Sequence, residues 1–147
     1  MKSIYFLLIA VGINTGVEAQ SINRFRDSKT ADSFLTYRSN QKKPLILAHR
    51  GGPGANDTEN SITTFDQTSK QLPDAIIEMD VRMTRDSGLV LLHDPTLDRE
   101  SDAQGPVSEK SVDQLKSIRL KTLSGTLTDQ PMPTFTDILA WNKNRYM

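Results

Sequence analysis

Three short apolar runs in this chain each carry or end in titratable side chains, and that arrangement limits the possible folds more than any other feature. Residues 44–48 (PLILA) run into His49 and Arg50, residues 75–83 (AIIEMDVRM) carry Glu78 and Asp80, and residues 89–92 (LVLL) run into His93 and Asp94. Successive side chains of a strand point to opposite faces. Leu45, Leu47 and His49 therefore share a face, as do Ile76, Glu78 and Asp80, and Leu89, Leu91 and His93. Each face is apolar at its start and titratable at its C-terminal end, which is the end where parallel α/β sheets bind ligands. The run at 44–48 predicts a buried strand. In the second run Ile77, Met79 and Val81 alternate with the acids, so that strand is expected to be buried on both sides.

Between the first two runs lies a turn-rich loop, residues 51–58. A helix is expected over about 60–71, capped by Asn60 or Ser61, with Ile62, Phe65 and Thr68 on one face. Strand, helix, strand is the pattern of a parallel α/β sheet. The second and third runs are separated only by the turn Asp86, Ser87, Gly88. Parallel pairing normally needs a dozen or more connecting residues, so periodicity there favours a hairpin. Residues 94–133 read as a long polar connection with one helix near 111–118, and Pro133 and Thr134 open a last helix through about Asn142.

The start of the chain reads as an export signal. Lys2 precedes the apolar run 4–13, and Val17, Glu18, Ala19 offer a small-x-small cleavage pattern before Gln20. That run is too short to span a membrane, which takes about 20 residues. Residues 1–19 are thus expected to be a signal peptide, with no stable membrane anchor, and the protein to be exported, periplasmic or secreted. Residues 20–43 read as a leader segment, with an amphipathic stretch around 33–37 expected to form a helix packed under the domain. Lys and Arg total 18 and Asp and Glu total 18, a balance without the field that non-specific nucleic-acid binding requires. With no cysteine and only two histidines, thiol chemistry is excluded and imidazole chemistry rests on His49 and His93.

Buried carboxylates need a cation or strong donors. Glu78 and Asp80 on one strand face suit a hard divalent ion such as Ca2+ or Mg2+, and Arg50 beside Gly51 and Gly52 reads either as a surface arginine or equally as one that holds a phosphate. Both histidines, the carboxylate pair and the arginine converge on one rim.

The blocks His49-Arg50-Gly51, Glu59-Asn60-Ser61 with Phe65, Glu78-Met79-Asp80-Val81, His93-Asp94 and Leu97-Asp98-Arg99 resemble the glycerophosphodiester phosphodiesterases, with Gly105, the region of Leu115 and Pro133-Thr134-Phe135 also fitting. The resemblance covers about residues 44–147. Thr58 stands where the family pattern usually has proline. The resemblance implies a (β/α)8 TIM barrel, of which this chain would supply roughly the first half, since a whole barrel takes about 250 residues. It implies that the second and third strands are adjacent and parallel, an expectation we place above the hairpin. It implies His49 and His93 as general acid and base, Arg50 as a phosphate clamp, Glu78 and Asp80 as metal ligands, and Glu59 lining the same rim. A third metal carboxylate would lie beyond Met147. The implied activity is metal-dependent hydrolysis of glycerophosphodiesters to glycerol 3-phosphate and an alcohol. The alternatives are a phosphatidylinositol-specific phospholipase C-like diesterase, or an inactive half-barrel fragment.

Overall fold

The computed structural model describes residues 28–36, 40 and 44–143. The expected signal peptide lies outside the described residues. Helix α1 (Ser28–Leu35) forms in the leader, but Lys29, Asp32, Ser33 and Leu35 are all exposed. No helix among the described residues is long and apolar enough to cross a membrane.

Strand β1 (Leu47–Ala48) pairs in parallel with β2 (Ile76–Ile77), Leu47 opposite Ile76 and Ala48 opposite Ile77. The crossover between them is helix α2 (Ile62–Gln71). Its N-cap is Ser61, whose hydroxyl accepts the Thr64 amide, and it buries Thr64, Phe65 and Thr68. A lost cap of this kind costs about 1 kcal/mol.

The second apolar run does not form one strand. It breaks at Glu78, Met79 and Asp80 and resumes as β3 (Val81–Met83). Strand β3 pairs antiparallel with β4 (Leu89–Leu91) in the register Val81 to Leu91 and Met83 to Leu89. This corrects the expectation of parallel neighbours: the turn at Ser87, whose φ is 63°, is too short for a crossover, and the hairpin read from periodicity is what forms. Residues 75–82 are half-buried rather than enclosed on both sides.

Strand β4 divides the interior. Val90 joins Leu92, Leu97, Val107, Leu115, Ile118, Leu120 and Met132 in one core. Leu91, on its other face, joins Phe65 and Ile138 in a second core, with Ile62, Ile77, Met79, Phe135 and Trp141 packed against it. The long connection supplies the first core through α3 (Val112–Leu115) and an unexpected antiparallel pair, β5 (Arg119–Lys121) with β6 (Leu127–Pro131). Helix α4 (Phe135–Asn142) closes the second core, its Trp141 ring 5.9 Å from that of Phe65. Capping boxes start α3 at Ser111 and α4 at Thr134.

The first apolar run is the other departure. Leu45, Ile46 and Leu47 are exposed, Leu47 by 55%, and only Ala48 is buried. Their apolar pattern is that of a strand covered on both faces, and no described residue covers this one.

Candidate active site

His49, Arg50 and Gly51 form a tight, kinked turn directly after β1. Arg50 adopts a left-handed conformation (φ 52°, ψ 29°) that costs a non-glycine residue about 1 kcal/mol or more. Gly51 follows at φ 90°, and a Cβ there would stand 2.4 Å from the Phe65 ring. Position 51 therefore admits no side chain, and the turn packs tightly onto α2. Hydrogen bonds hold Arg50 in place. Its amide donates to Glu78 Oε2 at 2.8 Å, and its carbonyl accepts from the Asn60 amide at 3.0 Å.

The Arg50 guanidinium turns toward the acids. Nη1 donates to both oxygens of Glu59 at 3.1 and 3.2 Å, and Nε lies 3.6 Å from Asp80 Oδ2 without a hydrogen bond. Asp80 is clamped by Asn60 in two directions. Asn60 Nδ2 donates to Asp80 Oδ2 at 3.1 Å, and Asn60 Oδ1 accepts the Asp80 amide at 2.9 Å. Asn60 itself takes a left-handed φ of 53° and is buried. Glu78 and Asp80 thus each commit one oxygen, and the other takes no donor among the described residues.

The second cluster lies where β4 ends. His93 Nδ1 is 2.7 Å from Asp94 Oδ1, and Arg99 donates to Asp94 from Nε at 2.8 Å and Nη2 at 3.0 Å. The Arg99 hydrogen bond holds the Asp94 carboxyl well below its ordinary range, against its partial burial and with help from His93. An ionised Asp94 can only accept, so His93 carries a proton on Nδ1, and its Nε2 makes no hydrogen bond to a described residue. The Arg82 guanidinium donates to the His93 carbonyl.

Glu59 joins the clusters. It is 4% exposed and accepts from Arg50 on one side and from Arg99 Nη2, at 2.7 Å, on the other. Burial opposes its ionisation, but the hydrogen bonds from Arg99 and Glu100 and the charges of both arginines outweigh burial and hold its carboxyl below the ordinary value. Glu100 behaves in the opposite way. It is 3% exposed. Burial first, then the facing Glu59, push its carboxyl up to about 7 against the Asp94 amide and Arg99. Of the two facing acids, the one flanked by two arginines ionises and the other keeps its proton longer.

The residues expected from the sequence therefore fall into one chain of contacts: Glu78 and Asp80 to Arg50, Arg50 to Glu59, Glu59 to Arg99, Arg99 to Asp94, and Asp94 to His93. The His49 ring is exposed and stands outside it, making no hydrogen bond to a described residue. Asn60, Asp94 and Arg99 were legible only as parts of a motif. Glu100 carried no signal beyond following Arg99.

Among the described residues one group offers three ligand atoms within 4.8 Å of one another, and it is His93, Asp94 and Glu100. Glu78 and Asp80 gather no third ligand into a group that tight. The donor chemistry nevertheless separates the two. Asp94 accepts from Arg99, and Glu100 accepts from two backbone amides and from Arg99 Nη2. Glu78 and Asp80 each keep one oxygen without a described donor, and carboxylate oxygens are the ligand type that hard divalent cations take.

The model of the glycerophosphoryl diester phosphodiesterase family matches residues 49–147. A glycerophosphodiester phosphodiesterase of Caldanaerobacter subterraneus subsp. tengcongensis is 37% identical over 52% of this chain and 30% of its own length. A probable glycerophosphodiester phosphodiesterase 1 of Mycobacterium tuberculosis is 40% identical over 51% of this chain and 27% of its own. The chain thus spans less than a third of these curated relatives. The crystal structure of a glycerophosphoryl diester phosphodiesterase from Parabacteroides distasonis superimposes with a TM-score of 0.74 and 38% identity, over 81% of this chain and 41% of that one. The fold is that of a (β/α)8 TIM barrel, of which the described residues form a portion.

Proposed function

This chain belongs to the glycerophosphoryl diester phosphodiesterase family, and on that premise we propose that it takes part in hydrolysing glycerophosphodiesters to glycerol 3-phosphate and an alcohol. The observation that carries the reading is the network joining Glu78, Asp80, Arg50, Glu59 and Arg99 to the Asp94–His93 pair. Such a network suits a substrate with an anionic centre and a proton to be moved beside it.

Glu78 and Asp80 would hold a divalent cation, Ca2+ or Mg2+, through their uncommitted oxygens. When bound, such an ion neutralises phosphate charge and polarises the phosphoryl group. Arg50 supplies further donors toward a phosphate: its Nη1 is committed to Glu59, and Nη2 enters no hydrogen bond with a described residue. Charge that grows on the phosphoryl oxygens in the transition state is stabilised by donors already in place. His93 takes or gives its proton at Nε2, because Asp94 fixes the other nitrogen. His49, at the exposed rim after β1, would complete the acid–base pair. Glu59 keeps the two arginines oriented. Export rests on the apolar run 4–13 and the pattern Val17, Glu18, Ala19, and N-terminal sequencing of exported protein would test it.

The functional test is release of glycerol 3-phosphate from glycerophosphocholine. Turnover is expected to need added divalent ion and to fall at least about 100-fold in His93→Ala and in His49→Ala. Turnover indifferent to a chelator and to both substitutions would sink the reading.

A further inference from the structure

Glu100 is the buried acid that the reading above leaves without a role. Its carboxylate spans two consecutive amides: Oε2 accepts from the His93 N–H at 3.3 Å and Oε1 from the Asp94 N–H at 2.8 Å. Oε1 also accepts from Arg99 Nη2 at 2.8 Å. These amides lie just past β4, where the chain leaves the ladder and its backbone donors lose their strand partners.

The base from which Glu100 reaches is rigid. Its carbonyl accepts the Lys121 amide at 2.8 Å, and the next residue, the fully buried Ser101, bridges to Leu120 of the first core. The Ser101 amide and hydroxyl both bond the carbonyl of the buried Leu97. A side chain anchored on the core thus grips the backbone of the two residues whose side chains form the imidazole–carboxylate pair. Arg99 closes the loop by bonding Glu100 and Asp94 through one nitrogen.

We propose that Glu100 is a positioning residue for His93: by clamping the consecutive amides of His93 and Asp94 it keeps Asp94 on Nδ1. The inference rests on the phosphodiesterase reading for its consequence in turnover, and on geometry alone for its consequence at the imidazole. Supporting groups that orient a reacting side chain contribute about 10- to 100-fold when removed.

The experiment compares the unsubstituted chain with Glu100→Gln, which keeps the size and one acceptor but turns the other oxygen into a donor facing an amide. Nitrogen-15 NMR of the His93 ring at about pH 8, where Glu100 is a carboxylate, reads the tautomer, and glycerophosphocholine hydrolysis reads kcat and KM. The unsubstituted chain is expected to show one tautomer protonated at Nδ1. Glu100→Gln is expected to show a mixture, with kcat down about 10-fold and KM within about twofold. A tautomer unchanged in Glu100→Gln overturns the proposal, whatever happens to kcat. If the unsubstituted chain shows no turnover while the tautomer responds to the substitution, the phosphodiesterase reading fails and the positioning stands. Glu100→Asp, which keeps the charge but is too short to reach both amides, is the second variant and is expected to repeat the tautomer mixture. If neither variant folds, Glu100 belongs to the framework and the proposal is overturned.

Discussion

The two ends of the acid–arginine network are built from the same residue types and differ in what their oxygens do. At the His93 end the carboxylates of Asp94 and Glu100 accept from Arg99 and from backbone amides, and the three ligand-capable groups sit close together. At the Arg50 end Glu78 and Asp80 are less tightly grouped, and each retains an oxygen without a described donor. Proximity alone would put a cation at the first place. Donor accounting favours the second, in keeping with the proposed function, because the oxygens at the first already carry charge-assisted hydrogen bonds, each worth about 1.5–3 kcal/mol, that compete with a cation for their lone pairs. The difference separates carboxylates held by Arg99 and backbone amides beside the His93 imidazole from a pair of acids that each commit one oxygen.

The largest effect that would break this comparison is at the open end. Asp80→Ala or Glu78→Ala is expected to weaken divalent-ion binding and turnover together by about 100-fold or more, with His93 unaffected. Calorimetric titration with Ca2+ and with Mg2+ measures the first. Ion affinity retained in both variants but lost in Asp94→Ala would reverse the assignment and place the ion among His93, Asp94 and Glu100.

Arg99→Met tests the closed end. Arg99 donates to Glu59, Asp94 and Glu100 at once, and its removal leaves the buried Glu59 with Arg50 alone. Breaking a buried pair from one side costs about 3–5 kcal/mol, and because Arg99 is itself 46% exposed we expect about 2–3 kcal/mol in denaturant unfolding. A loss below about 0.5 kcal/mol would mean that the network is a surface array of little weight.

How much of this was legible in the sequence depends on how local the cause is. The starts of α2, α3 and α4 were readable because Ser61, Ser111 and Thr134 act within one turn of themselves. The hairpin of β3 and β4 was readable from the Asp86-Ser87-Gly88 turn, and was overruled only by the resemblance. The pair β5 and β6 was not readable, since Arg119, Lys121, Thr128, Asp129 and Gln130 show no apolar alternation and the pair is fixed by bonds to distant segments, such as Thr58 to Gln130 at 2.9 Å. His49, Arg50, Glu78, Asp80 and His93 were visible because each follows or interrupts an apolar run. Glu100 was invisible because its role depends on two amides that become unpartnered only once β4 has formed. The apolar run 44–48 misled about burial because its pattern reports a cover that the described residues do not provide.

The smallest effect sharpens the contrast inside the closed end, between the two facing acids. Glu100 has an ordinary value of 4.5 that folding pushes up to about 7, mainly by burial. In the pH window between those values the folded chain keeps a proton that the unfolded chain has released, so stability falls as pH rises through it and is level above about pH 7. Glu59, whose value folding lowers, contributes the opposite slope: its stabilisation is present above its ordinary value of 4.5 and is lost as the solution is made more acid. Glu100→Gln carries a neutral group at every pH and so lacks the first slope while keeping the second. The stability of the variant relative to the unsubstituted chain should therefore improve between pH 5 and pH 8, by about 1–3 kcal/mol, whatever constant offset the altered hydrogen bonds add. Denaturant unfolding at the two pH values, at constant ionic strength, measures the change. A difference that stays constant, or moves against the variant as pH rises, would show that Glu100 is ionised throughout and that the proton shared between the two acids rests elsewhere.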